Sequence, residues 1–226
     1  MGVISTDDVV GAPVWAAELT EDEHDRARRG MVERSFGKGA YICHRGDRLE
    51  YWTGVVTGLA KISTISRTGK AMTFAGVGAG GWFGEGSLIK DEARQYDVVA
   101  VRDTRLAMMP RSTFIWLFEN STGFNRFLVR QFNERMGQFI ATIEQDRILG
   151  PKERVARNLG WLFNRVLYPG THGEIEITQE ELALLAAISR PLVNKALQEL
   201  ESEGLLRVNR GSITVFERDR LARYES

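Results

Sequence analysis

The period of the hydrophobic pattern changes once along this chain, near residue 111, and that change limits the fold more than any other feature. Before it, residues 33–110 carry short apolar runs cut by glycine: "AYICHRGD", "YWTGVVTGLAKISTIS", "KAMTFAGVGAGGWFGEGSL" and "YDVVAVRDTRLAMM". In "LAKISTIS", Leu59, Ile62 and Ile65 stand against Lys61, Ser63 and Ser66. "RTGK" is a turn signal between two such runs and predicts a hairpin. Many short strands with frequent turns make a small barrel or sandwich. Ahead of them, "LTEDEHDRARRGMV" reads as a helix with Thr20 as N-cap and Glu23 completing a capping box.

After the change, residues 112–148 lack proline and read as one long helix. Val129, Phe132, Met136, Phe139 and Ile143 step by 3, 4, 3 and 4, which is the a/d seam of a coiled coil. A second apolar edge (Phe124, Phe127, Leu128) gives this helix two surfaces to cover, and a second copy of the chain would cover the seam. "LGPKER" breaks the helix, because Pro151 suits a first helical turn. The chain therefore divides into residues 1–111, 112–149 and 150–226.

The last region reads as helix ("PKERVARNLGWLFNRVL"), short strand ("EIEIT"), two helices and a β-hairpin. "TQEELALLAAI" is capped by Thr178, with Glu181 closing a second capping box. "SRPLVNKALQELESEG" has Ser189 as cap, Pro191 in its first turn and Gly204 at its end. "LLRVNRGSITVFER" is a hairpin with "GS" at its tip. That order, with a turn of about three residues between the two helices, is a winged helix-turn-helix. On the second helix Leu192, Val193, Ala196, Leu197 and Leu200 are assigned to the core, and Arg190, Asn194, Lys195 and Gln198 to the outer face. Arg can bond guanine O6 and N7 together, Asn or Gln can read adenine, and Lys suits guanine or phosphate. Thr178 at the head of the first helix and Arg210 in the hairpin join this DNA-facing set, as does Ser189.

Composition narrows the class. Apolar residues make up 43% and charged residues 27% of 226, as in a soluble globular protein. No uninterrupted apolar window is long enough to span a membrane. "MGVISTDDVVGAP" lacks a basic start and a long apolar core, so no secretory signal is expected and cytoplasm is the expected compartment. One cysteine, Cys43, excludes a disulfide framework or a multi-cysteine metal site within the chain. Net charge is zero, with 30 basic and 30 acidic residues, so DNA binding would rest on locally placed charges.

"ITQEELALLAAISRPLVNKALQELESEGLL" resembles the DNA-binding motif of the Crp–Fnr (catabolite activator) family of bacterial transcription regulators. The strands with Gly46–Asp47, Gly58 and "WFGEGSL" resemble that family's cyclic-nucleotide-binding β-roll, and the seam-bearing helix its dimerisation helix. The resemblance runs in order over residues 19–216. It implies an α+β fold: a β-roll, a long dimerisation helix and a C-terminal winged helix-turn-helix. It further implies a homodimeric regulator that binds a palindromic operator in double-stranded DNA, with RNA polymerase as a further partner and no membrane association. Arg190 and Lys195 match the family's DNA-contacting positions. Pro191 stands where the family has Glu or Gln, and Ala187 where it usually has glycine.

For the roll, the resemblance implies an effector site of Gly84, Glu85, Gly86, Ser87, Arg94 and Gln95, with Phe139 and Ile140 on the dimer helix. Gln95 replaces the family's phosphate-binding serine, and Phe139 and Ile140 replace its Thr-Ser pair. Apolar groups there leave adenine's polar edge unpaired, at a cost of roughly 1–3 kcal/mol per lost buried partner. The expected ligand is then a small anionic molecule other than cyclic AMP; a cyclic nucleotide and a roll filled by its own side chains stay open as alternatives. "GVGAGG" has the spacing of a dinucleotide fingerprint but precedes "WFGEGS" and no long crossover helix. His24, His44 and His172 are scattered, so no metal is assigned. Cys43 beside His44 reads as a strand residue, and Trp52 and Trp82 as roll core or rim. No nucleophile–base pairing supports an enzyme. The alternative function is a cyclic-nucleotide-type module acting on a protein partner through its winged helix.

Overall fold

The computed structural model describes residues 13–65 and 71–225. The "RTGK" turn lies outside the described residues, as does most of the N-terminal segment. Thr20 caps α1 (Glu21–Arg28) through the expected box: its hydroxyl accepts from the Glu23 amide, and its own amide donates to the Glu23 carboxylate at 2.8 Å. Eight strands follow: β1 (Val32–Phe36), β2 (Tyr41–Cys43), β3 (Tyr51–Thr57), β4 (Leu59–Ile65), β5 (Ala71–Gly78), β6 (Trp82–Phe83), β7 (Asp97–Ala100) and β8 (Thr104–Pro110). A short helix, α2 (Glu85–Lys90), sits between β6 and β7.

They form two antiparallel four-stranded sheets, ordered β1-β8-β3-β6 and β2-β7-β4-β5, closed on each other as a roll. β4 and β5 pair as expected, but their alternation does not run through. A bulge between Ile62 and Ser63 shifts the register, so Ser63 is buried and Ile65 is exposed. Gly54 is forced by packing: a Cβ there would lie 2.3 Å from the Trp82 ring. Trp52 and Trp82 are buried core, with ring centroids 4.3 Å apart. Trp15, Phe114, Phe124 and Phe127 complete that aromatic core.

The long helix expected over 112–148 is two: α3 (Arg111–Asn120) and α4 (Thr122–Ile148). The break is at Ser121, whose backbone is extended and whose hydroxyl accepts from the Phe124 amide at 3.1 Å. A side chain that satisfies an amide of the following turn starts a new helix there. α3 then packs on α1 and the roll, and α4 alone carries the seam. Phe124, Phe127 and Leu128 are buried against the roll, whereas the seam is bare, from 38% exposed at Phe139 to 61% at Val129.

The C-terminal unit comprises α5 (Pro151–Trp161), β9 (Glu174–Ile175), α6 (Gln179–Ala186), α7 (Arg190–Ser202), β10 (Leu206–Val208), β11 (Ile213–Val215) and α8 (Arg218–Ala222). α5 stops at Trp161, earlier than its sequence pattern suggests, and Asn164 takes over with Oδ1 accepting from the Val166 and Leu167 amides. The three strands form one antiparallel sheet, β10-β11-β9, behind a single core. Lys152 and the Tyr224 hydroxyl hold the Glu203 carboxyl below its ordinary range, Tyr224 contributing most.

This unit docks on the roll. Arg102 donates to the Glu176 carbonyl at 2.6 Å, and Gly170 donates to the Ala79 carbonyl at 3.3 Å. Tyr168 ties three parts together: its hydroxyl accepts from Gln138 of α4 at 2.7 Å and donates to the Gly76 carbonyl of β5 at 2.9 Å.

Candidate DNA-reading surface and effector pocket

The reading head is built from local rules. Thr178 and Glu181 close the second capping box and fix where α6 begins. α6 ends at Ala187, which takes the left-handed conformation (φ 52°) that turns the chain towards α7. In that conformation the Ala Cβ crowds the next carbonyl, a strain of about 1–2 kcal/mol that glycine avoids. Ser189 occupies the N-cap position of α7, but its side chain makes no capping hydrogen bond. Instead Pro191, in the first turn, holds φ at a helical value and removes one amide that would need a cap.

α7 buries Val193, Ala196, Leu197 and Leu200. Leu192, assigned to the core by its chemistry, is 41% exposed, because the helical angle places it on the flank of the buried stripe. Arg190, Asn194, Lys195 and Gln198 are exposed, as are Thr178, Ser189 and the wing-tip Arg210. Asn194 Oδ1 accepts from Gln179 at 3.2 Å, and Lys195 lies 3.9 Å from Glu199. Arg190 has no hydrogen bond or ion pair among the described residues, and it lines an open cleft of about 600 Å³ with Lys38 and Arg102 of the roll.

The roll and α4 enclose a second space of about 560 Å³, walled by Met72, Phe74, Phe83, Phe132, Phe139 and Ile143. Glu85, Gly86, Tyr96, Arg135 and Thr142 supply its polar groups. Glu85 opens α2 and is buried, accepting from the Trp52 indole at 3.4 Å. Arg135 is buried and donates to Gln138 at 2.9 Å, and Gln138 is itself bonded to Tyr168. The cavity wall is thus two hydrogen bonds from the C-terminal unit.

Of the residues expected here, Glu85, Gly86 and Phe139 line the cavity, and Arg94 does not. Arg94 is 1% exposed and lies behind Tyr96, with Nη1 donating to the phenol at 2.8 Å. Its Nε and Nη2 have no hydrogen-bond partner among the described residues. It faces a smaller space of about 320 Å³ shared with Cys43, Asp47 and Thr53. Gly84, left-handed at φ 107°, leaves room for that guanidinium: a Cβ would lie 3.0 Å from Nη2. Burial raises the pKa of both the Tyr96 phenol and the Cys43 thiol, so both are protonated at neutral pH. Gln95 is exposed and donates to the Ala93 carbonyl, Ser87 lines neither space, and Ile140 is 61% exposed outside the cavity. Arg135 and Thr142 were not anticipated. Their signal is the helical spacing 132, 135, 139, 142, 143, which puts them on the face that carries Phe132 and Phe139.

An antiparallel roll, a long helix with a bare apolar seam and a winged helix-turn-helix define a DNA-binding transcription regulator with an effector-type domain. Residues 33–121 match the family model of the cyclic nucleotide-binding domain, and residues 153–224 match the Crp-like helix-turn-helix domain. The chain belongs to the Crp–Fnr family of bacterial regulators, and it is a transcription regulator rather than an enzyme. It is 28% identical to the cyclic AMP receptor protein of Thermus thermophilus, over 92% of this chain and 94% of that one. It is also 28% identical to the transcriptional regulator SdrP of the same organism, over 72% and 78%. The structure of FixK2 from Bradyrhizobium japonicum shares the fold, with a TM-score of 0.70 at 19% identity, over 87% of this chain and 98% of that chain. No helix among the described residues is long and apolar enough to cross a membrane.

Proposed function

We propose that the protein acts in the cytoplasm as a homodimer that reads a palindromic operator through α7 and is switched by a small effector held between the roll and α4. Residues 1–111 are its effector unit, 112–149 its dimerisation segment and 150–226 its reader, with RNA polymerase as the downstream partner. The observation that carries the DNA reading is the face of α7: Arg190 is exposed and unpartnered among the described residues, between a capped α6 and a wing tipped by Arg210. Arg190 reads guanine, and Asn194, Lys195 and Gln198 contact neighbouring bases or phosphates. A role on a protein partner, suggested by neutral charge, is not favoured by the Crp-like match of the C-terminal unit.

The effector we propose has an acidic or strongly polar head and an apolar body, and it is not cyclic AMP. Support comes from the aromatic and aliphatic wall of the cavity, with Phe139 where adenine would need a polar partner, and from Arg135 as the cation within it. Selection from a random duplex pool tests the reading: it should return two half-sites about 10 bp apart, mirroring a two-fold axis. Arg190→Ala should cost about 1–3 kcal/mol on the selected site and relax one guanine in each half. Binding that ignores sequence, or an unaltered footprint in Arg190→Ala, would overturn it.

A further inference from the structure

The outer face of α7 is not uniformly polar. Successive helical residues are turned by about 100°, so with Arg190 at zero the buried Val193, Ala196, Leu197 and Leu200 centre near about 290°. The opposite pole, near about 110°, is the line that approaches closest to a groove floor. Pro191 at about 100° and Gln198 at about 80° sit on that pole, while Asn194 and Lys195 flank it at about 40° and 140°. Pro191 is exposed. The centre of the reading face is therefore a pyrrolidine ring, which has neither a side-chain donor nor an acceptor, framed by Arg190, Asn194, Lys195 and Gln198. Leu192, 41% exposed, extends that apolar surface down one flank.

The floor of the major groove offers one apolar group, the C5-methyl of thymine; the cytosine and adenine amino groups and the guanine and adenine N7 atoms are polar. A ring pressed on an amino group or an N7 strips its water and supplies no partner, whereas a methyl gains by leaving water. The polar neighbours do not readily compensate: Asn194 is bonded to Gln179, and Lys195 leans towards Glu199.

We infer that Pro191 is a specificity-determining residue that packs on the methyl of a thymine in the base pair next to the guanine bonded by Arg190. This rests on the proposed role of α7 as the reading helix, and it supplies what that role leaves open, namely the base read at the centre of the face.

The test uses the full-length protein and its selected operator, with the thymines beside the Arg190-dependent guanine replaced by deoxyuridine, which removes only the methyl. The wild type should lose about fourfold in affinity per half-site, the value of one buried methyl group. Pro191→Glu should bind thymine and uracil operators alike and shift the selected pair at that step to C·G, since a carboxylate accepts from cytosine N4. An acidic residue in the first turn suits the helix dipole, so this variant should fold. Its circular dichroism and melting temperature should match the wild type. A wild type indifferent to the methyl would overturn the inference, as would a selected step with no thymine or a Pro191→Glu variant of unchanged preference. Those results leave the guanine requirement of Arg190 standing. Loss of the guanine requirement as well would instead remove α7 as the reading helix.

Discussion

The reading head and the effector cavity are built in opposite ways. The reading head rests on a single element: α7 keeps its apolar stripe in the core and its polar side chains exposed. Their few contacts are with α6, with α7 itself and across the cleft to the roll. The cavity is concave, assembled from β4, β5, β6, α2, Tyr96 and α4, and its ionic groups Glu85 and Arg135 are already engaged inside the protein. Glu85 meets the Trp52 indole and Arg135 meets Gln138, while Arg94 lies outside this cavity, behind Tyr96. The residues assigned to the outer face of α7 are all exposed as a set, whereas those assigned to the effector site do not all reach one cavity. There, a single side chain, Tyr96, stands between Arg94 and the cavity that Glu85 lines, two groups the family pattern would join.

The largest effect expected from that contrast is at the seam beside the cavity. Met136→Asp places an unpaired charge where a partner helix would bury it, which should cost at least about 3–5 kcal/mol and leave monomers at micromolar concentration. A wild type that is itself monomeric by light scattering would remove the partner from the picture and leave the cavity open on that side. Next in size is the ligand. At 100 times its dissociation constant an effector should raise stability by about 2.7 kcal/mol. A panel of aromatic acids should contain a compound that shifts both the melting temperature and operator binding, and cyclic AMP should shift neither. A micromolar cyclic AMP response that depends on Arg94 would show that Tyr96 moves aside and that the cavity keeps the family's ligand.

The link between the two sites is open to a smaller change. Tyr168→Phe leaves the Gln138 amide and the Gly76 carbonyl without their shared partner, a loss of about 1–3 kcal/mol. The roll and the winged helix should then melt in two steps rather than one, and a single unshifted transition would show that the hydroxyl couples nothing. The smallest effect belongs to the reading head itself. Ala187→Gly should stabilise the protein by about 1 kcal/mol, because glycine takes the left-handed turn without strain. A destabilised variant would mean that Ala187 is held by contacts outside the turn.

Where structure follows from a few adjacent residues, it was legible in the chain. Both capping boxes stand where Thr20 with Glu23 and Thr178 with Glu181 place them, since each needs only a hydroxyl, a carboxylate and three residues of spacing. The α+β order of roll, helix and winged helix-turn-helix is likewise a sum of local periods and turn residues. The failures also have local causes with non-local deciders. Ile65 was set inside and Ser63 outside, but one bulge in the pairing of β4 with β5 turns the strand over after Ile62. Ser121 divides the long helix through an extended backbone and a hydroxyl that accepts from the Phe124 amide. α3 thus packs on α1 and the roll while α4 starts afresh and carries the seam, a break no period of 3.6 expresses.

By itself, then, the amino-acid order determined the elements, their sequence along the chain, the buried stripe of α7 and the polar set around Arg190. Each of these depends on residues within one or two turns of one another. The tertiary structure alone decided that Tyr96 screens Arg94 from the larger cavity, and that Arg135 at that cavity is tied through Gln138 to Tyr168. A cavity's chemistry is set by which side chains from distant segments reach the same few ångströms, and that is a property of packing, which periodicity does not encode.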